Sequence, residues 1–341
     1  MRVAVAILNW NGKILLEKFL PDVIKNSPAY CEVYLIDNAS SDNSVKMTSS
    51  QFTSIKIVQN ADNYGFANGY NEGLKRIDAD YFVLLNSDVQ VTKNWMEPII
   101  NLMESDKNIA ACQPKLLNYN LREEFEYAGG AGGFIDKYGY PFCRGRIFNS
   151  FEKDNGQYND IREIFWASGA CLFIRSKNYF EAGGLDEDFF AHMEEIDLCW
   201  RMKNMGYKVM YCPHSRVYHI GGGTLSKISS VKTFLNFRNN LILLCKNHAA
   251  EYFRIKILFR MKMDILAGLK FLFSGDFSHF AAVLKAHMSF FFSIRRTLKK
   301  RRVMQKRILH YTSSAIYKKS IVWDYFAEGK KKFSELDESL F

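Results

Sequence analysis

Residues 81–91 read YFVLLNSDVQV. The stretch begins as an unbroken apolar run, Tyr81-Phe82-Val83-Leu84-Leu85. A run of that length suits a central strand buried on both faces. It turns polar at once, at Asn86, Ser87 and Asp88. In open α/β sheets the ligand crevice lies outside the carboxyl ends of the strands. A carboxylate at Asp88 can hold a divalent cation there, and the cation can hold a diphosphate. An ordinary polar turn after a strand looks the same from this stretch alone, so the flanks must decide.

Upstream, Val3-Ala4-Val5-Ala6-Ile7-Leu8 reads as a first strand, followed by the turn Asn9-Trp10-Asn11-Gly12. Leu15, Leu16, Phe19, Leu20, Val23 and Ile24 then recur at helical spacing, which predicts an amphipathic helix over 13–25. Val33-Tyr34-Leu35-Ile36 is a second buried strand ending in Asp37. A loop at 38–42 follows, with Ser41 or Asp42 as a helix cap. Residues 55–58 form a third strand, and the Gly-rich NYGFANGYN at 63–71 leads into a helix through Leu74 and Ile77. Strand and helix therefore alternate up to Leu85, the signature of a parallel, doubly wound sheet. Asp37 and Asp88 then stand on the same edge of that sheet.

Downstream, residues 95–103 read as a helix and 109–113 as a short strand. Residues 126–145 are rich in glycine and aromatics without a clean period, and read as an irregular lobe lining a cleft. Residues 164–174, IFWASGACLFI, predict a strand that bends at Gly169. Residues 183–201, GGLDEDFFAHMEEIDLCWR, place an acidic loop before a helix that starts near Glu194. Acidic residues favour a helix N-terminus for electrostatic reasons alone, so Glu194 and Glu195 carry little weight without context. Asp197 and Arg201 stand at i, i+4 and can pair. Residues 209–212 predict another strand, and Val217-Tyr218-His219 runs into a glycine triplet.

The chain has 341 residues, enough for one large α/β domain with additions. Seven cysteines without a CxxC pair read as reduced thiols of a cytosolic protein. The N-terminus shows no signal-peptide pattern, and no apolar run reaches the roughly 18–20 residues of a spanning helix. The net charge of +10 is unevenly held: residues 1–230 carry 24 Lys/Arg against 28 Asp/Glu, and residues 231–341 carry 22 against 8. From Val231 onward the chain reads as helical and basic, with Arg238 and Asn239 on the first helix and eight Arg/Lys within 295–307. A solvated basic helix, a nucleic-acid patch and helices lying on an anionic membrane all fit such a run. The neighbouring Leu/Phe/Met clusters favour the membrane, because nucleic acid does not require them. The last stretch, 328–341, reads as a weakly ordered tail.

Together, VAVAILNWNG, LIDNASSD, NADNYGFANGYNEG, YFVLLNSDV, FWASGACLFIR, GGLDEDFFAHMEEIDLCWR, RVYHIGGGT and FRNNLILLCKN resemble, in order and spacing, family 2 glycosyltransferases of GT-A fold. The likeness is strongest to bacterial rhamnosyltransferase-like members and spans residues 2–247. It implies a GT-A Rossmann-like sheet with flanking helices over 1–230, binding nucleotide-sugar and acceptor, and a C-terminal basic amphipathic helical region over 231–341. Asp37 and Asn38 would contact the nucleotide, with the Asn9 and Asn11 turn nearby, and Asn63, Gly65 and Asn71 would shape the donor pocket. Asp88 would be the last acid of a DxD-type motif whose first acid is here Asn86, with Ser87 between, and His219 a further metal or diphosphate contact. Trp166, Ser168 and Gly169 would line the acceptor side, and Arg238 joins the substrate-binding set. Glu194-Glu195 would be the acidic pair, with Glu195 as the base, kept ionised by the helix N-terminus. The implied cofactor is Mn²⁺ or Mg²⁺, with His219 tilting the choice to Mn²⁺.

The implied partners are a nucleotide-sugar donor, a lipid-linked glycan acceptor of the cell envelope and an anionic membrane surface, without nucleic acid. The implied location is the cytoplasmic face of the cell membrane. Two rivals remain: a nucleotidyltransferase, which would place a glycine-rich basic loop where Asn9-Trp10-Asn11-Gly12 stands, and a non-catalytic nucleotide- or glycan-binding protein, which would lack the acids.

Overall fold

The computed structural model describes residues 1–221, 229–249 and 253–341. Four parallel strands form its first half: β1 (Val3–Asn9), β2 (Cys31–Asp37), β3 (Lys56–Gln59) and β4 (Tyr81–Asn86). Helices α1 (Lys13–Asn26), α2 (Ser44–Gln51) and α3 (Gly65–Leu74) connect them. Alternate residues of the strands face two separate cores. Ala4, Ala6, Tyr34, Ile36, Phe82 and Leu84 enter one; Val5, Ile7, Leu35, Tyr81, Val83 and Leu85 enter the other. That two-sided burial is why these strands read as unbroken apolar runs.

The second half completes the sheet. After β5 (Val89–Val91) and α4 (Glu97–Ser105), strand β6 (Ile109–Asn118) is longer than its apolar segment suggested. The Gly-rich stretch beyond it is ordered rather than irregular. With the residues just after it, it builds β7 (Gly133–Asp136), β8 (Pro141–Cys143), β9 (Arg146–Ile147) and β10 (Ser150–Phe151), four short strands of a second sheet. A glycine is required there: a Cβ on Gly133 would lie 2.1 Å from the Trp166 ring.

The expected bent strand divides into β11 (Arg162–Ile164) and β12 (Cys171–Arg175), and Gly169 lies in the loop between them. Then come α5 (Ser176–Glu181), α6 (Glu194–Asn204) and β13 (Lys208–His219), the last merging two predicted segments across a register shift after Cys212. The main sheet has the order β11-β13-β6-β12-β4-β1-β2-β3, with β12 antiparallel to β4. The parallel half is thus doubly wound as expected, and the whole sheet is mixed.

The C-terminal third forms α7 (Ser230–Asn247), α8 (Phe253–Phe273) and α9 (Phe277–Gln305). The chain then returns to the second sheet as β14 (Ile316–Tyr317), which pairs with β7, followed by α10 (Ile321–Phe326). The expected loose tail is packed. Phe333 is buried, and the Phe341 ring lies 5.1 Å from Phe134 and 5.1 Å from Phe333. Among the described residues no helix is long and apolar enough to cross a membrane.

Candidate active site

The strand register lines up the polar strand ends: Asn9 lies opposite Asp37, and Leu8 opposite Asn86. Asn9 is buried and its Nδ2 donates to Asp37 Oδ1 (2.9 Å), Ser40 Oγ (3.0 Å) and Ser44 Oγ (2.9 Å). Asp37 also accepts from the Ser40 hydroxyl (2.6 Å) and the Ser40 N–H (3.1 Å). Asp37, expected on the nucleotide, therefore first holds the β2 turn together, and both its oxygens are engaged. Asn11 adopts φ 54° and its Oδ1 accepts from the N–H groups of Ser41 and Asp42, so it ties the first turn to the second. Asn38 is buried, donates to the Gly65 carbonyl (2.8 Å) and accepts from Asn60 (2.7 Å).

Asn63 Oδ1 accepts from the Gly65 N–H (3.0 Å), which shapes the entry to α3. Asn71 is drawn the other way. Its Nδ2 donates to the Leu185 carbonyl and its Oδ1 accepts from the Leu185 N–H and the Tyr179 hydroxyl, so it anchors the loop before α6. Asn86 and Ser87 are half-buried, and Ser87 Oγ lies 3.9 Å from the Cβ position of Gly12. Ser87 thus lies close to the first turn, and Asn86 stands in register with Leu8 of β1.

Asp88 and His219 do meet, with a third partner the sequence did not single out. His219 Nε2 lies 3.1 Å from Asp88 Oδ1, and its Nδ1 lies 3.1 Å from Glu126 Oε1. Burial opposes a charge on the ring, but Glu126 and Asp88 outweigh it and push the imidazole up to about 10. Burial likewise raises the Asp88 carboxyl, and the bond from His219 outweighs that and holds it below its usual value. His219 is therefore an imidazolium between two carboxylates, and it becomes a metal ligand only on losing its proton. The three groups do not surround one point, and among the described residues no set of three such ligands does. The donor set still suits a divalent cation: a carboxylate oxygen at Asp88 and an imidazole that can replace its proton by the ion. Glu126 gave no sequence signal, because it sits in the glycine-rich stretch without periodicity.

The acidic pair opens α6. Phe190, His192 and Met193 all have positive φ (60°, 68° and 78°), a turn that delivers Glu194 and Glu195 into the first helical turn. The side chain of Asn239, on α7, holds this turn from behind. Its Nδ2 donates to the carbonyls of Phe189 (2.9 Å), Ala191 (2.9 Å) and His192 (2.8 Å). Arg238 donates to the carbonyls of Asp188 and Phe189 (3.1 Å each) and to Asn239. Arg238, expected at the substrate, thus acts as a clamp on the loop. Asn239 sits on the apolar stripe of Leu235 and Leu243, and a polar residue on such a stripe is the signal that could have found it.

Glu194 is buried and Glu195 half-buried, and among the described residues each leaves its Oε2 without a partner. Burial pushes Glu195 up to about 7 against the pull of the N–H groups of Glu195 and Ile196. Burial, reinforced by Glu195, pushes Glu194 well above its usual value. The expectation of a base kept ionised by the helix end is corrected: desolvation outweighs the N-terminal field. Glu195 faces Gly169, whose Cβ position lies 3.9 Å from the Glu195 Cβ and 3.6 Å from Phe66. Asp197 is fully buried in a network with Arg201 (2.8 Å), Lys246 (2.9 Å) and Asn247 (2.8 Å), the expected structural pair enlarged. Trp166 and Ser168, expected on the acceptor side, are both buried. Trp166 is buried on Gly133 and donates to the Phe134 carbonyl (3.0 Å), and Ser168 is buried against Gln113 and Ala170. Gly169 borders the acidic pair at Glu195.

The family model for glycosyl transferase family 2 matches residues 4–172. The chain is 21% identical over 252 residues to the N-acetylglucosaminyl-diphospho-decaprenol L-rhamnosyltransferase of Mycobacterium tuberculosis (strain CDC 1551 / Oshkosh), covering 69% of this chain and 81% of that one. It is 24% identical over 163 residues to the rhamnosyltransferase WbbL of Escherichia coli (strain K12), covering 46% of this chain and 61% of that one. Among solved structures, GalNAc-T7 with UDP, GalNAc and Mn²⁺ superposes with a TM-score of 0.57 at 20% identity, over 74% of this chain and 49% of that chain. The chain is a glycosyltransferase of family 2, an enzyme with the GT-A fold. Rhamnosyltransferases are among its relatives.

Proposed function

We propose that the enzyme moves a sugar, L-rhamnose first among candidates, from a nucleoside-diphosphate donor to a hydroxyl of a lipid-linked cell-envelope glycan precursor, with inversion. One observation carries the reading: the Glu195 carboxyl is poised near neutrality, its Oε2 has no hydrogen-bond partner among the described residues, and it packs beside Gly169. A general base works best with a pKa near the operating pH, and burial supplies that tuning here. Glu195 takes the proton of the acceptor hydroxyl. The acceptor oxygen then bonds to the anomeric carbon from the face opposite the diphosphate, whose C–O bond breaks and carries the electron pair away. Asp88, with His219 beside it, would hold Mn²⁺ or Mg²⁺, which when bound neutralises the departing diphosphate. Asn9, Asn11, Asp37 and Asn38 brace the two turns that a nucleotide would rest on. In this reading residues 1–230 carry the chemistry.

Residues 231–341 carry location as well as support. Helices α8 and α9 form a hairpin whose large exposed apolar residues include Leu266, Phe273, Phe277, Met288 and Phe292. Arg295, Lys299 and Arg302 are exposed on the same pair of helices. Apolar area beside basic residues favours an anionic surface, so the hairpin is read as docking on the cytoplasmic leaflet near the lipid-linked acceptor.

The test is a panel of nucleotide sugars with Mn²⁺ or Mg²⁺, scored by calorimetric binding and slow hydrolysis. Binding of thymidine diphosphate rhamnose above all others supports the donor. Equal indifference to every nucleotide sugar would remove the reading.

A further inference from the structure

A cavity of about 280 Å³ lies outside the site described above. Its lining includes Asp136 and Lys137 after β7, Trp200 on α6, His248 past α7, Lys256 on α8 and Lys318 beyond β14. Three ammonium groups therefore border one space. Elsewhere the chain pairs its buried lysines: Lys115 with Asp154, Lys203 with Glu163, Lys246 with Asp186 and Asp197. The lysines around this cavity are less buried, with Lys137 and Lys256 half-buried and Lys318 exposed. Among the described residues, neither Lys137, Lys256 nor Lys318 has a carboxylate within the 4.0 Å of an ion pair. Half-buried Lys256 instead meets the ring of His248, Nζ to Nε2 at 2.6 Å. The one lining carboxylate, Asp136, is occupied by backbone N–H groups: Tyr138 and Tyr140 at 2.9 Å and Ile321 at 3.0 Å. Asp136 offers Lys256 some counter-charge, but three cations around one carboxylate still repel one another, and an anion with several oxygens relieves that repulsion. Thr312 and Ser313 on the rim add hydroxyl donors, and Ile135, Trp200 and Ile316 give an apolar side.

We propose that this cavity is an anion site for a phosphate or diphosphate group, separate from the site at Asp88. The group comes either from a phospholipid headgroup or from a soluble phosphate compound, and both present the same oxygens.

The experiment titrates the full chain with inorganic pyrophosphate by calorimetry in EDTA, so that no divalent cation can bridge the anion to Asp88. The wild type is expected to bind one equivalent, more weakly as sodium chloride rises. Lys137→Ala with Lys256→Ala should weaken binding by at least about tenfold, since two charge-assisted contacts are lost. Lys318→Gln, a change at an exposed side chain, should weaken it by about threefold and guards against misfolding of the double variant. Asp88→Ala should bind as the wild type does, which separates this site from the proposed metal site. A vesicle arm identifies the source. Loss of phosphatidylglycerol vesicle binding in the double variant supports a headgroup ligand, and loss of pyrophosphate binding alone supports a soluble one. Absent binding in the wild type, or equal binding in the wild type and the double variant, overturns the proposal.

Discussion

The polar groups at the end of β2 and those at the start of α6 are treated in opposite ways. Around Asp37 every acceptor is matched: the carboxylate takes Asn9 and Ser40, and Asn38 is bonded at both ends of its amide. At Glu194 and Glu195 an oxygen of each carboxylate has no partner among the described residues. A buried polar atom left without a partner costs about 1–3 kcal/mol, so folds keep such atoms where something else will use them. Under the proposed function, the contrast separates residues that hold a site from residues that act in it. Asn71, Arg238, Trp166 and Ser168 all make hydrogen bonds within the protein.

The largest test of that contrast is Glu195→Gln. It should lower kcat by about 10²–10⁴ and leave donor affinity intact. The wild-type rate should rise with pH through about 7, as the acidic pair releases its proton, and the variant should lack that limb. Stability runs the other way. The folded pKa of Glu195 lies above its unfolded value, so its contribution is present below about 4.5 and is lost as pH rises through about 7. Glu195→Gln should therefore gain in melting temperature over wild type at pH 8, with the gain shrinking towards pH 4.5. A fully active, folded Glu195→Gln beside a dead Glu194→Gln would transfer the role to Glu194.

Asp88→Ala comes next. Donor binding in Mn²⁺ should weaken about 10–100-fold, and the difference between Mn²⁺ and EDTA should vanish. Metal dependence equal to wild type would leave Asp88 as a mere partner of His219.

Asp37→Ala probes the satisfied side. It strips a buried acceptor from Asn9 and Ser40, and unfolding by denaturant should register a loss of about 2 kcal/mol. A variant with undiminished stability and lost donor affinity would make Asp37 a ligand contact after all.

Legibility in the sequence follows the range of the interactions. Tyr81–Asn86 announced itself because both faces are buried, and burial is written in the strand's own residues. The start of α6 was legible from a local acidic cluster and a glycine further on. The second sheet was not. Its strands span two to four residues, too few for a period, and its glycines serve a distant ring: Gly133 clears Trp166, and Gly145 clears Phe125. The charge on His219 was invisible for the same reason, since Glu126 reaches it from another part of the chain. The weight of desolvation on Glu195 was equally out of view, because it depends on walls built by the β11–β12 loop and α3.

The smallest expected effects lie in the basic helix α9, where the same contrast divides neighbouring charges. Lys300 binds Asp186 (2.5 Å) and Asp188 (2.7 Å), and Arg296 binds Asp188 and Glu187, so these two fasten α9 to the loop before the acidic pair. Arg295, Lys299 and Arg302 are exposed and, among the described residues, carry no ion pair. The basic run was expected to act as one membrane-facing block, and the pairing divides it. Lys300→Ala should cost stability, about 1 kcal/mol because the pair is part-exposed, and leave vesicle binding nearly unchanged. Arg295→Ala with Lys299→Ala should leave the melting temperature alone. It should weaken co-sedimentation with anionic vesicles by about 1 kcal/mol for each charge removed, less at high salt. Equal losses of vesicle binding from the paired and unpaired residues would mean that the loop releases α9 at the membrane, and the division drawn here between holding and acting charges would fail for this helix.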